Sequence, residues 1–205
     1  MKAVFLMTAW LLPTLAMAGP TEELVARLAA VSSVSGDFEQ VILDQGGLRM
    51  QEAAGSMQMA RGNRFRWHTQ EPFEQLAVSD GQTVWIHDVD LEQVVERPLT
   101  PDSASTPALL FGGDPDRVAQ AFNVEQRGRH GKQVSYRLRP REDDSLFVEL
   151  ELTFAGDRPH SMRMVDALGQ QTVLDFRNVR INETLPDSLF RFVAPDGADV
   201  IRQSE

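Results

Sequence analysis

Histidine is the first place to look for chemistry, because an imidazole can act as base, acid or metal ligand near neutral pH. The chain has four, His68, His87, His130 and His160, scattered without an HExxH pattern or a pair at metal-binding separation. It has no GxSxG, no phosphate-binding loop and no GxGxxG, and it contains no cysteine. His87-Asp88-Val89-Asp90 reads as a solvated turn, and Glu149 and Glu151 point away from the apolar side of their strand, where a buried general acid would have to sit. These residues predict no enzyme, no metal site and no cofactor.

Two other features carry more. Met57 and Met59, then Met162 and Met164, form two same-face pairs of unbranched thioether side chains, which fill cores and also suit surfaces that accept varied apolar partners. Arg61, in Arg61-Gly62-Asn63, places a guanidinium where the chain turns at the rim of an apolar surface.

The elements that must position them are mostly strands. From Gly55 to Asp88 apolar residues recur every second position, with Met57/Met59, Phe65/Trp67 and Leu76/Val78 separated by turn formers. Asp80-Gly81 reads as a two-residue hairpin loop, which sets Val78 against Thr83 and Leu76 against Trp85 and puts Leu76, Val78 and Trp85 on one face. Leu146, Val148, Leu150, Leu152 and Phe154 alternate with Glu149, Glu151 and Thr153. The parity change between Leu174/Phe176 and Val179/Ile181 predicts a bulge, and Phe190 and Phe192 open a final strand. Helices are expected at Thr21–Val31 with Thr21 as cap, at Pro107–Phe111, and at Asp114–Phe122 with Asp114 as cap.

Ten or eleven strands against three short helices, without βαβ spacing, imply a mainly β domain. It is expected to be a single curved antiparallel sheet or incomplete barrel with one apolar concave face. Three short helices are few to cover such a face, so it is either an ordinary packed core or a hollow kept for a ligand.

Residues 1–18 read as a secretory signal, with Lys2, an apolar run from Val4 to Leu15, and Ala16-Met17-Ala18 as the cleavage site, leaving residues 19–205 as one domain. The formal charge of −10 argues against nucleic acid and anionic membranes as partners held by bulk electrostatics. The run from Arg127 to Arg141 is locally basic, either a solvated outer face balanced by nearby acids or a docking patch.

The stretches SGDFEQ, RGNRFRWHTQEPFEQLAVSDGQTVWIHDVDLEQV, TPALL, LFVELELTF, SMRMVDALGQQT and PDGADVI, spread over nearly all of residues 19–205, resemble the LolA family of periplasmic lipoprotein carriers. The resemblance implies a half-open β-barrel closed by a helical lid and working as a monomer in the periplasm. Its cavity would receive the acyl chains of lipoproteins released by an ATP-driven inner-membrane transporter and deliver them to an outer-membrane acceptor lipoprotein. Arg61 matches a family arginine that hydrogen-bonds lid backbone; the matching lid positions are Leu28, Phe111 and Gly112. Gly62 stands where the family commonly has proline. The expected cavity lining is Met57, Met59, Phe65, Trp67, Leu76, Val78, Trp85, Leu146, Val148, Leu150, Leu152, Met162 and Met164. A sensor of envelope stress on the same scaffold is the alternative; such chains carry a second domain. An acceptor lipoprotein would need a cysteine after Ala18.

Overall fold

The structure is a computed structural model that describes residues 19–100, 107–142, 145 and 147–203; the expected signal segment and Leu146 lie outside the described residues. Twelve strands form one sheet: β1 (Ser33–Leu43), β2 (Arg49–Ala60), β3 (Arg64–Glu71), β4 (Gln75–Asp80), β5 (Thr83–Asp88), β6 (Gln93–Pro98), β7 (Phe122–His130), β8 (Gln133–Pro140), β9 (Glu149–Ala155), β10 (Arg158–Val165), β11 (Gln171–Ile181) and β12 (Asp199–Arg202). Their order is β12-β6-β5-β4-β3-β2-β1-β11-β10-β9-β8-β7, so the two edge strands do not meet and the sheet stays an open half-barrel. Neighbours are antiparallel except β12, which runs parallel to β6.

Curvature comes from breaks in register, which bend and twist a strand locally. Shifts occur between Ser35 and Asp37 against β11, between Ala54 and Gly55 against β3, and between Pro159 and Ser161 against β9. The first lies opposite the parity change in β11, where Asn178 adopts φ +52°. Gly55 is required here: a Cβ on it would lie 1.9 Å from the carbonyl oxygen of His68 on β3. Its bare backbone also leaves Phe38 of β1 and Trp67 of β3 free to stack across β2, with ring centroids 4.1 Å apart.

Cross-strand pairing defines the inner face. Val34, Met59 and Phe65 lie side by side, as do Met57 and Trp67, and on the other arm Leu174, Met162, Leu152 and Tyr136. Helices α1 (Pro20–Ala29), α2 (Pro107–Gly112) and α3 (Pro115–Ala121) cover that face with Leu24, Leu28, Leu110, Phe111 and Val118, all buried. Helices this short are not stable in water and depend on that packing. In α1 the cap is Gly19, not Thr21, because Pro20 fits the first helical turn and needs no N–H partner. In α3 the Asp114 carboxylate accepts the expected bond from the Asp116 amide at 3.1 Å.

Three expectations are corrected. The β4–β5 hairpin pairs Val78 with Trp85 and Leu76 with His87, two residues away from the expected register. Asp80 stays in its strand and caps the turn, accepting from the Gln82 and Thr83 amides at 2.8 Å each, so the left-handed position falls on Gly81 as the first loop residue. Second, β3 pairs Trp67 with Ala77 and Phe65 with Ser79, which places Leu76, Val78 and Trp85 on the outer face, opposite Phe65 and Trp67. There Val78 is buried, as are Val94 and Phe190, and Trp85 stacks on Phe192 at 6.2 Å. Third, Phe190 and Phe192 do not form a strand: Phe190 ends a 3-10 turn, Asp187–Phe190, that Arg64 holds against the outer face by an ion pair to Asp187 at 2.6 Å and by lying over the Phe190 ring.

Gly55→Ala is expected to destabilise the fold by about 2 to 4 kcal/mol, because β3 must shift to relieve the backbone clash. The chemical denaturation midpoint should fall accordingly, whereas Gly46→Ala, in the exposed β1–β2 turn, should leave it nearly unchanged.

Candidate functional site

The site is the inner face and the helices on it. Met57, Met59, Leu150, Leu152 and Met162 are all at most 1% exposed, and Phe65 is 8% exposed. The expectation that three helices leave this face under-covered is therefore not met among these residues: the protein's own side chains fill it. Phe111 of α2 is buried with its ring edge-on to Phe176, 6.2 Å between centroids. Trp67, Met164, Ala77 and Ile86 are only partly buried and flank the sealed part. Val148 does not belong to this face. It precedes β9 and is 50% exposed, while its neighbour Phe147 turns in and stacks on Phe122 at 5.9 Å.

Two arginines tie the helices down. Arg61 follows β2 at a turn where Gly62 and Asn63 both have left-handed φ, +83° and +59°. Proline cannot take that φ, so this turn, in the shape it has here, excludes proline at position 62. From it the guanidinium donates to two separate helices: Nη1 to the Gly113 carbonyl at 2.9 Å, just past α2, and Nη2 to the Leu28 carbonyl in α1. The planar fork of arginine, with several donors at fixed angles, is what lets one side chain serve both. Around it, the Asn63 amide donates to Gly112 O at 3.0 Å, and a Cβ on Gly112 would meet Ala60 O at 2.9 Å, so α2 ends in backbone-to-backbone contact. The acceptor after α2 is thus Gly113; Gly112 serves by its lack of a side chain and its own carbonyl, and Phe111 by packing.

The second tie was not visible in the sequence. Arg27, on α1, donates from Nε to the hydroxyl of Tyr136 at 3.0 Å and from Nη1 to the carbonyl of Gly156 at 3.0 Å, and its guanidinium lies over the Phe154 ring. Glu23, one turn earlier, pairs with Arg27 at 3.2 Å and Arg129 at 2.6 Å. Tyr136 is fully buried on the inner face, so the hydroxyl needs these partners. Burial pushes the Glu23 carboxyl up, but hydrogen bonds from Tyr136, Arg129 and Arg27 outweigh it and hold it below the ordinary glutamate value. Burial, followed by the bond to Glu23, raises the Tyr136 hydroxyl. The signal that could have found this tie is the Glu23/Arg27 spacing of four on a helix whose apolar stripe faces a strand tyrosine.

A family model described as "Outer membrane lipoprotein carrier protein LolA" matches residues 29–193. The chain belongs to the LolA family. A protein of Alcanivorax borkumensis named "Outer-membrane lipoprotein carrier protein" is 55% identical over 185 residues, covering 90% of this chain and 88% of its own. One of the same name from Chromohalobacter salexigens is 42% identical over 188 residues, covering 92% and 89%. Among solved structures, an uncharacterized conserved protein from Thermus thermophilus shares the fold with a TM-score of 0.57 and 17% identity, over 88% of this chain and 98% of that one.

Within this LolA-family chain, three of the six basic side chains of the run are paired: Arg137 and Arg139 each with Glu125 and Glu149 on the outer face, where Arg163 also meets Glu149 and Glu151, and Arg129 with Glu23 of α1. Those pairs balance part of the run's charge on the outer face. Among the described residues no three His, Asp or Glu side chains are grouped to hold a metal ion.

Tyr136→Phe removes one acceptor from Arg27, and with it part of the α1 tether; amide exchange of Leu24 to Leu28 should accelerate about tenfold, the equivalent of one hydrogen bond to a charged group. Equal protection in the variant would mean that packing alone holds α1. The carboxyl of Glu23 is depressed, so its contribution is complete above the ordinary glutamate value and is lost as pH falls through the lowered one. The protection factors of these amides, taken against the intrinsic exchange rate at each pH, should therefore fall in acid in the wild type and lose that acid-sensitive component in Glu23→Gln.

Proposed function

We propose that this protein is a periplasmic carrier that takes up the acyl chains of lipoproteins released from the inner membrane by an ABC transporter and passes them to an outer-membrane acceptor lipoprotein. The relatives' names supply the cargo class. The observation that carries the reading is an apolar sheet face sealed by three helices, too short to stand alone, of which α1 and the end of α2 are held by Arg61.

Because the face is already filled, uptake is an exchange: lid side chains leave as acyl chains arrive. Burying a long acyl chain of about sixteen carbons gains on the order of 10 kcal/mol at roughly 0.8 kcal/mol per methylene. Withdrawing Leu24, Leu28, Leu110 and Phe111 forfeits about 1.5 to 3 kcal/mol for each side chain fully exposed. The two sums are of similar size for one chain; a triacyl anchor enclosed whole would outweigh the lid several-fold, so a carrier that can hand its cargo on encloses only part of it. The Arg61 bonds, roughly 1.5 to 3 kcal/mol each when charge-assisted, add to the closed empty state and favour release. A carrier without such a closed state would bind its cargo too tightly to hand it on.

Residues proposed to meet the chains are those on the inner face: Met57, Met59, Phe65, Trp67, Leu150, Leu152, Met162 and Met164. Leu76, Val78, Trp85 and Val148 are left out by their position.

Arg61→Leu should accept a lipoprotein as well as the wild type or better, and release it to the acceptor at least about tenfold more slowly; unchanged transfer from purified loaded carrier would remove Arg61 from the mechanism. Phe65→Glu buries a charge where chains would pass, and loading should be lost. Mass spectrometry of the protein purified from periplasm should find a triacylated species, and a consistently lipid-free protein that also fails to load in vitro would sink the carrier reading.

A further inference from the structure

The two ends of the half-barrel differ in character. The end that carries Arg61 is closed by polar turns: Gly62-Asn63, Gly81-Gln82, Gly131-Lys132 and Gly156-Asp157. At the opposite end, large apolar side chains stand in solvent: Leu91 between β5 and β6, Phe73 between β3 and β4, Leu48 and Met50 where β2 begins, Leu168 between β10 and β11, and Val148 at the entry to β9, each 50 to 82% exposed. Six of the eight exposed large hydrophobic residues among those described lie on this one rim.

They follow the strand order from the β5–β6 loop to the entry of β9, and neighbouring loops meet at two of the joins. The Val89 amide donates to Glu74 O at 3.1 Å, joining two loops, and a Cβ on Gly169 would lie 3.1 Å from the Gln45 side chain, joining two more. Strands are about 4.8 Å apart, so successive hairpins are about 10 Å apart and the row runs roughly 40 Å along the curved edge. Scattered single hydrophobic residues are ordinary on a surface, but a continuous row of them is the mark of an interface. None of them supports the core, since all lie outside the buried cluster.

Charge selects the occupant. Glu71, Asp90, Glu92 and Asp166 fringe the row, Glu74 is bonded to His68, Arg49 beside Leu48 is paired with Glu52, and Arg141, beyond β8, is the one further base among the described residues there, so the fringe stays acidic. An anionic bilayer is repelled by such a fringe, and so is a second copy of the same rim. We propose that this rim docks a partner protein whose contact face is apolar at its centre and fringed with lysine or arginine. In the carrier reading, on which this rests, the partner is one of the two membrane-bound proteins that load or unload the carrier.

The probes are the purified periplasmic portion of the lipoprotein-releasing transporter and the soluble portion of the acceptor, both from the source organism. Leu48→Ser/Phe73→Ser/Leu168→Ser should melt like the wild type and take up a triacylated lipopeptide from detergent like the wild type. It should bind one of the two probes at least about tenfold more weakly, and Asp90→Lys/Glu92→Lys should weaken the same complex while added salt weakens it in the wild type. Wild-type affinity of the triple variant for both probes, or no binding of the wild type to either, overturns the proposal. So does wild-type binding to phosphatidylcholine vesicles or a wild-type dimer, if the triple variant abolishes it, since the occupant is then a bilayer or a second copy. Failure of the wild type to take up lipopeptide sinks the carrier reading instead; unchanged probe binding by a triple variant that does load sinks the rim alone.

Discussion

An open sheet with one apolar face has to keep that face out of water, and most of this structure answers that need. Closing the barrel would do it permanently, but β7 and β12 remain edges. The cover is instead α1, α2 and α3, none longer than ten residues and none able to persist away from the sheet. The face and its cover therefore stabilise each other. Anything that replaces the cover must itself be apolar and long enough to reach Met57 on one arm and Met162 on the other.

Hydrophobic burial is non-directional, so it does not say where the helices should sit or how firmly. Two guanidinium groups do. Arg61 reaches carbonyls at the end of α2 and within α1 from a single turn, and Arg27 anchors α1 at its other side through Tyr136 and Gly156. Arg61 bonds backbone carbonyls alone, and Arg27 reaches the sheet through a hydroxyl and a carbonyl while pairing with Glu23 on its own helix. Such bonds add a few kcal/mol that can be broken, unlike a buried ion pair, whose rupture would strand a charge. Surface charge does different work: the arginine and glutamate lattice on the outer face of β8, β9 and β10 keeps that face wet and so fixes which side of the sheet is inside.

Alternation in the sequence was enough to sort residues within a hairpin. Leu150, Leu152 and Phe154 share the inner face, Glu149 and Glu151 the outer, and Met57/Met59 sit beside Phe65/Trp67. It was not enough between hairpins. The relation of β4 to β3 depends on how residues 72–74 are spent in the connecting loop, and a change of one residue in that register reverses every side chain. That is how Leu76, Val78 and Trp85, a cohesive apolar trio, came to face outward beneath Phe190 and Phe192. Val148 looked like part of an alternating run because its neighbours do alternate, yet the strand begins one residue later.

The amino-acid sequence by itself determined the class of fold, the inner-face character of most apolar positions and the turn from which Arg61 extends, because these depend on period, turn chemistry and residue type over short spans. Tertiary structure alone decided which carbonyls Arg61 reaches, that Arg27 meets Tyr136 across 109 residues of chain, and that the inner face is filled by side chains of its own sheet and helices. Those outcomes depend on the curvature of the whole sheet and on the register of strands distant in sequence, and no local pattern encodes either.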